Sequence, residues 1–256
     1  MDKPIKMPNT SNGRWYQFPR GQFVPSVTTI VSGGSPMQPY LLKYHVNNAN
    51  GDWDKYRKAD SEATRVGTAI HKFIEVGLMD GKVSLDDYDI EIQKGIMSFL
   101  SWWNVNQYEV VELETFLYCD EEVDGKLRFP FCGTADAILR DSDGKLVLAD
   151  WKSSKAISKG MSLQLSAYKL LWDATHDEKI DRCIVVHCKK DFAGAKPTRS
   201  FKPEHTMNFD PKSFEACYRL FRLFNETAKG ELEPKEKHHY PLDFTFDVRN
   251  AKEVAK

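Results

Sequence analysis

The chain has 256 residues, 41% of them hydrophobic and 29% charged, and a formal net charge of −1. This length and apolar content support a substantial core. No apolar run approaches the ~18 residues of a helical membrane span, and the balanced charge excludes a global basic field that would draw in any polyanion.

The five cysteines, Cys119, Cys132, Cys183, Cys188 and Cys217, contain no CxxC pair, which argues for reduced thiols and against a zinc ribbon. The opening MDKPIKMPNT has neither the apolar core of a signal peptide nor the Arg-rich amphipathy of a transit peptide, so the expected location is cytoplasmic, with no membrane partner. In chain order, RWYQFPRGQFVPSVTTIV reads as short extended pieces leading into a helix, with Pro25 before it and Ser26 as its N-cap. Ser35 and Pro36 predict a second helix over about 36–49. A longer one is predicted over about 58–78 and contains GTAIHKFIE. Ser84 is placed as the cap of the next helix, where Ile92, Ile96, Phe99, Leu100 and Trp103 recur at helical spacing.

From Tyr108 the period changes to that of strands. YEVVELETFLYC, LRFPFCGTADAILR and KLVLADWK are separated by turn signals at Asp124 and Gly125 and at DSDG, residues 141–144. SLQLSAYKLLW then reads as a helix and RCIVVHCKK as a strand, followed by a loop or further strand in which Lys189, Lys190, Lys196, Arg199 and Lys202 form a local basic cluster. Asp210 and Pro211 start a last helix with Phe214, Cys217, Tyr218, Phe221 and Phe224 on one stripe and Gly230 as its stop. The whole predicts one α/β domain over 1–256: a mainly helical part to about 105, a small mixed sheet with flanking helices over 106–230, and a polar tail over 231–256.

Chemistry concentrates where LVLADWKSSK ends. Acid-x-Lys triplets start at Asp80, Asp124, Asp143, Asp150, Asp177, Asp210 and Glu233, but only Asp150 follows an unbroken apolar strand, where charge is costly unless paired or bound. If residues 142–144 form a three-residue loop with Gly144 left-handed, opposed residues sum to 286, and Asp136 faces Asp150. A loop one residue shorter or longer sends Asp136 to the other face. Two adjacent carboxylates at neutral pH share a proton or bind a cation. Oxygen ligands, to which the Trp151 carbonyl adds, suit Mg²⁺ or Mn²⁺, and Lys152 beside them suits hydrolysis of a phosphodiester. A plain salt bridge would explain Asp150 and Lys152 but not Asp136.

Read in order, GTAIHKFIE, GTADAIL, LADWKSSK and QLSAY resemble the motifs of the RecB-like branch of PD-(D/E)XK nucleases, and PSVTTIV resembles the segment that opens many phage-type members. The likeness spans about residues 25–172 and implies a restriction-endonuclease-like core. It further implies that His71, Asp136 and Asp150, with the Trp151 carbonyl, hold Mg²⁺ or Mn²⁺, and that Lys152 is the catalytic lysine. It assigns Gln164 and Tyr168 to a QxxxY element that contacts DNA or the lysine, and makes Ser153 and Ser154 phosphate contacts. Glu75 and Glu114 are weaker candidates. Several relatives carry an iron–sulfur cluster, but the cysteine spacing here departs from that pattern, so none is expected. The implied activity is a metal-dependent DNA exonuclease on single-stranded or end-frayed DNA in recombination, repair or phage replication. The alternatives are an endonuclease of the same fold and a non-catalytic DNA-binding subunit. Trp53, Tyr56, Trp102 and Trp103 are candidates for stacking unpaired bases.

Overall fold

The computed structural model describes residues 4–7, 10–19, 21–36, 45–47, 52–119, 130–192, 203–228 and 231–235. Strands β1 (Ile5–Lys6), β2 (Trp15–Gln17) and β3 (Phe23–Pro25) form a small antiparallel sheet in that order. Helix α1 (Val27–Gly34) follows, capped as predicted by Ser26, whose Oγ accepts the N–H of Thr29.

Helix α2 (Trp53–Asp80) begins earlier than the predicted 58–78, because Asp52 accepts the N–H groups of Asp54 and Lys55 and starts the helix there. It stops at Gly81, whose φ of 70° gives the left-handed cap that glycine takes without steric cost. Helix α3 (Ile90–Trp103) is capped by Asp89, not by Ser84. Ser84 instead closes a turn upstream, its Oγ accepting the Asp86 N–H.

The larger sheet runs β4 (Glu109–Cys119), β5 (Phe131–Arg140), β6 (Leu146–Lys152), β7 (Arg182–His187) and β8 (Glu204–Met207) in spatial order. Its pairs are antiparallel except β6 with β7, which are parallel and joined through helix α4 (Gly160–Thr175). Helix α5 (Pro211–Asn225) is the last helix among the described residues. The fold is therefore α/β with a mixed five-stranded sheet. One face of that sheet buries Leu146, Leu148 and Val185 against α1, α4 and α5, and the other buries Val147, Ala149 and Trp151 against α2 and α3. Burial on both faces is why β6 reads as a continuous apolar run.

The β5–β6 hairpin adopts the register predicted from its loop. Ala137 pairs with Ala149, Ile138 with Leu148 and Arg140 with Leu146, each pair summing to 286. Gly144 has φ of 80°, and its N–H donates to the Asp141 carbonyl at 2.9 Å.

Some details differ from the sequence reading. Phe224 is 69% exposed and does not share the buried stripe of Phe214, Cys217, Tyr218 and Phe221. Helix α5 ends at Asn225, ahead of Gly230, which lies outside the described residues, as do the turn at 124–125, Lys196, Arg199, Lys202 and the tail over 236–256. Of the helix predicted over 36–49, residues 45–47 are helical and 37–44 and 48–49 lie outside the described residues. Cys132, Cys183, Cys188 and Cys217 are free and buried. No helix among the described residues is long and apolar enough to cross a membrane.

Candidate functional site

The site lies where β5 and β6 stop pairing. Their last paired residues are Ala137 and Ala149, and one step further the Asp136 carboxylate accepts the N–H of Trp151 at 2.7 Å. The side chain thus takes the acceptor role that a main-chain carbonyl would hold if the ladder continued. Asp136 is fixed by the backbone it replaces.

The neighbouring strand is irregular at the same level. Leu113 pairs with Ala137 and Thr115 with Ala135, which brackets Glu114 opposite Asp136. Glu114 has φ of 47°, a left-handed backbone that a side chain adopts only under constraint. Facing alternation also breaks there. Ala135 and Ile138 lie in one core although three residues apart, while Leu113 and Leu117 lie in opposite cores although four apart. This bend turns both carboxylates toward α2.

Helix α2 supplies the third group. Val66, Ile70, Phe73 and Ile74 bury its inner face, and His71 beside them puts Nδ1 3.6 Å from Asp136 Oδ2. Donor atoms of His71, Glu114 and Asp136 all lie within 4.8 Å of one another. One imidazole and two carboxylates are a donor set that suits a hard or borderline divalent ion, so the residues present fit Mg²⁺ or Mn²⁺. Glu114 keeps an exposed surface, but desolvation at its carboxyl and the nearby Asp136 charge push its pKa up to about 7.

Asp150 does not join that grouping. It is 2% exposed, its Oδ2 is 2.6 Å from Lys152 Nζ, and its Oδ1 accepts from Gln164 Nε2 at 3.1 Å. A carboxylate so buried needs a counter-charge, and the lysine two residues on supplies it. Burial, with Asp136 nearby, still pushes the Asp150 pKa up to about 6. Burial opposes the charge on Lys152, but Asp150 and Asp136 outweigh it and hold the ammonium above the ordinary lysine value. Of the Trp151 main chain, the N–H is the group in contact with Asp136.

Gln164 and Tyr168 sit one turn apart on α4 and share a contact, Gln164 Nε2 lying 3.5 Å from the Tyr168 hydroxyl. Tyr168 covers Gly133 so closely that a Cβ there would lie 2.7 Å from its ring. The glycine of GTAD is therefore required by the tyrosine of QxxxY. Burial and the Asp150 charge raise the Tyr168 pKa, which keeps its hydroxyl neutral.

No protein-family profile matches the chain. No curated protein matches it either. Among solved structures, the crystal structure of SSO0001 aligns with 77% of this chain and 72% of its own at 16% identity, with a TM-score of 0.38. A likeness at that level carries no argument about fold or activity.

The segment after Lys152 is held from two sides. His187, paired with Lys152 across the parallel strands, donates Nε2–H to the Ser154 carbonyl at 2.6 Å, and Cys188 N–H donates to the Lys152 carbonyl at 2.8 Å. Burial lowers the His187 pKa, so the ring is neutral at pH 7, with its proton on Nε2. From α2, Gly67 closes on Ser153, whose Oγ would be 3.2 Å from a Cβ at that position. Ser154 Oγ donates to the Ala156 carbonyl. Lys190 is 2.8 Å from Glu91 Oε1, an ion pair within the fold.

Two of the aromatic residues proposed for base stacking are used elsewhere. Trp102 is 2% exposed and donates Nε1–H to Glu204, and Trp103 stacks on Phe99. Glu114, by contrast, is a site residue whose weight the sequence understated. The available signal was weak, because Glu114 shares β4 with the acids Glu109 and Glu112.

Proposed function

We propose that the protein is a divalent-metal-dependent deoxyribonuclease of the RecB-like type, with a restriction-endonuclease-like core, acting as an exonuclease on single-stranded or end-frayed DNA. The observation that carries this reading is the meeting of the His71, Glu114 and Asp136 donors with the Asp150–Lys152 ion pair where β5 and β6 part. His71, Glu114 and Asp136 would hold Mg²⁺ or Mn²⁺. Asp150, whose two oxygens are taken by Lys152 and Gln164, and the Trp151 carbonyl would join that ligand set only as the resemblance implies, not as members of the grouping itself. When bound, the ion supplies Lewis acidity toward a phosphate oxygen and a more acidic water.

The residues then divide the remaining work. Lys152 stays an ammonium at neutral pH, so it acts as a hydrogen-bond donor and counter-charge to the phosphate, not as a base. Asp150 orients that ammonium, and the Gln164 amide fixes Asp150 in turn. Ser153 and Ser154, held by α2 and His187, follow the lysine as phosphate contacts. Water adds to phosphorus as the bond to the departing sugar oxygen breaks, leaving a phosphate and a hydroxyl end.

The test is digestion of 5′-labelled, 3′-labelled and circular single strands in Mg²⁺ or Mn²⁺. Loss of label from linear strands alone, abolished by EDTA, is the expected result. Cleavage of circles would replace the exonuclease with an endonuclease, and absence of any hydrolysis would end the nuclease reading.

A further inference from the structure

The bend at Glu114 and Asp136 has a consequence along β4 and β5. Beyond it, Leu117 turns into the core at 3% exposure, so the alternate residues Phe116 and Tyr118 take the opposite face, where β2 and β3 pack. Tyr16 lies 5.1 Å from Phe116 and Phe18 lies 5.2 Å from Tyr118, ring centre to ring centre, and Phe116 and Tyr118 are 6.2 Å apart. Phe18, Phe116 and Tyr118 keep part of their surface in solvent.

This row starts at the candidate centre. Phe116 pairs with Thr134, two residues from Asp136, and Tyr118 pairs with Cys132, two further on. At ~3.3 Å per residue the two ring pairs stand ~7 and ~13 Å along the strand from Asp136. The exposed Arg14 lies against the Tyr16 hydroxyl and adds a cation beside the first pair. Aromatic faces in series with a cation, leading away from a phosphate-handling site, have the composition of a stacking platform for unpaired bases.

The geometry points to the Tyr16, Phe116, Phe18 and Tyr118 row as the seat of single-stranded DNA, its bases stacked on the solvent-facing parts of the half-buried Phe18, Phe116 and Tyr118 rings and its backbone led toward Asp136. This rests on the nuclease reading and deepens it by naming what selects the unpaired strand. A duplex keeps its bases stacked on one another and offers no free face, so the platform discriminates against it.

The test is fluorescence anisotropy of oligo-dT and of a blunt duplex in EDTA, with hydrolysis of bis(p-nitrophenyl) phosphate in Mn²⁺ measured separately. Phe116→Leu and Tyr118→Leu keep apolar bulk but lose the ring, whereas Phe116→Trp keeps it. Each Leu variant should weaken oligo-dT binding at least about fivefold, with Phe116→Trp near wild type and both duplex binding and small-diester hydrolysis unchanged. Oligo-dT binding by the Leu variants equal to wild type, or an equal loss for duplex, would overturn the platform while retained diester hydrolysis left the nuclease reading standing. Loss of both DNA binding and diester hydrolysis in the wild-type protein would overturn both.

Discussion

The carboxylate of Asp136 and the main-chain N–H of Trp151 meet at 2.7 Å, one step past the last pair of the β5–β6 ladder. The arrangement holds an acidic group rigidly between two separating strands, with His71 at 3.6 Å and Glu114 opposite. The same Trp151 backbone leads directly into Lys152, so the proposed ion and the lysine are set by one stretch of chain.

Because Glu114 and Asp150 hold protons up to about pH 7 and about pH 6, occupation of the centre by a cation displaces protons near neutrality. Titration calorimetry of Mn²⁺ at pH 6.5 in buffers of different ionisation enthalpy should show net proton release. Glu114→Gln should reduce that release, and binding without proton transfer in the wild-type protein would contradict it.

The raised Asp150 pKa also fixes a stability slope. Its folded value, about 6, lies above the ordinary carboxyl value of 3.8, so between about pH 4 and pH 6 the folded state binds more protons than the unfolded one. Stability from this group is present below that window and falls as pH rises through it. Denaturant unfolding in EDTA should show this fall, and Asp150→Asn should flatten it.

Removing the ammonium tests the proposed chemistry. Lys152→Met leaves Asp150 buried without its 2.6 Å partner, so the carboxyl should protonate at a still higher pH. Hydrolysis should fall by about two orders of magnitude or more, the scale of losing one preorganised charge-stabilising donor, while Mn²⁺ still binds. Wild-type turnover in this variant would remove Lys152 from the mechanism.

The glycine of GTAD gives a prediction about packing. Gly133→Ala sets a methyl 2.7 Å from the Tyr168 ring in a filled core, and overpacking of this kind costs about 1–3 kcal/mol. A shift of the unfolding midpoint by that amount, restored in part by Tyr168→Leu in the same chain, is the expected outcome. An unchanged midpoint would mean that the two motifs are not coupled.

What the sequence made legible was local. The three-residue loop at 142–144 and the left-handed Gly144 determined the register, and with it the level of Asp136 relative to Asp150, because a hairpin turn propagates its count along both strands. Helix caps were less legible: Asp52 and Asp89 start helices where serine or lysine positions had been favoured, since any side-chain acceptor can satisfy the same N–H groups. Glu114 was harder still. Its place depends on pairing across the 120–129 connection and on a left-handed residue within a strand, and neither leaves a periodic trace. The pairing of Gly133 with Tyr168 shows how two motifs separated along the chain can be one packing contact.

The most direct test of the central claim is the position of manganese in crystals of the protein, read from anomalous scattering. A peak within coordinating distance of His71, Glu114 and Asp136, lost in the Asp136→Ala protein, is expected. Manganese bound elsewhere, with those three side chains free of it at saturating concentration, would contradict the account.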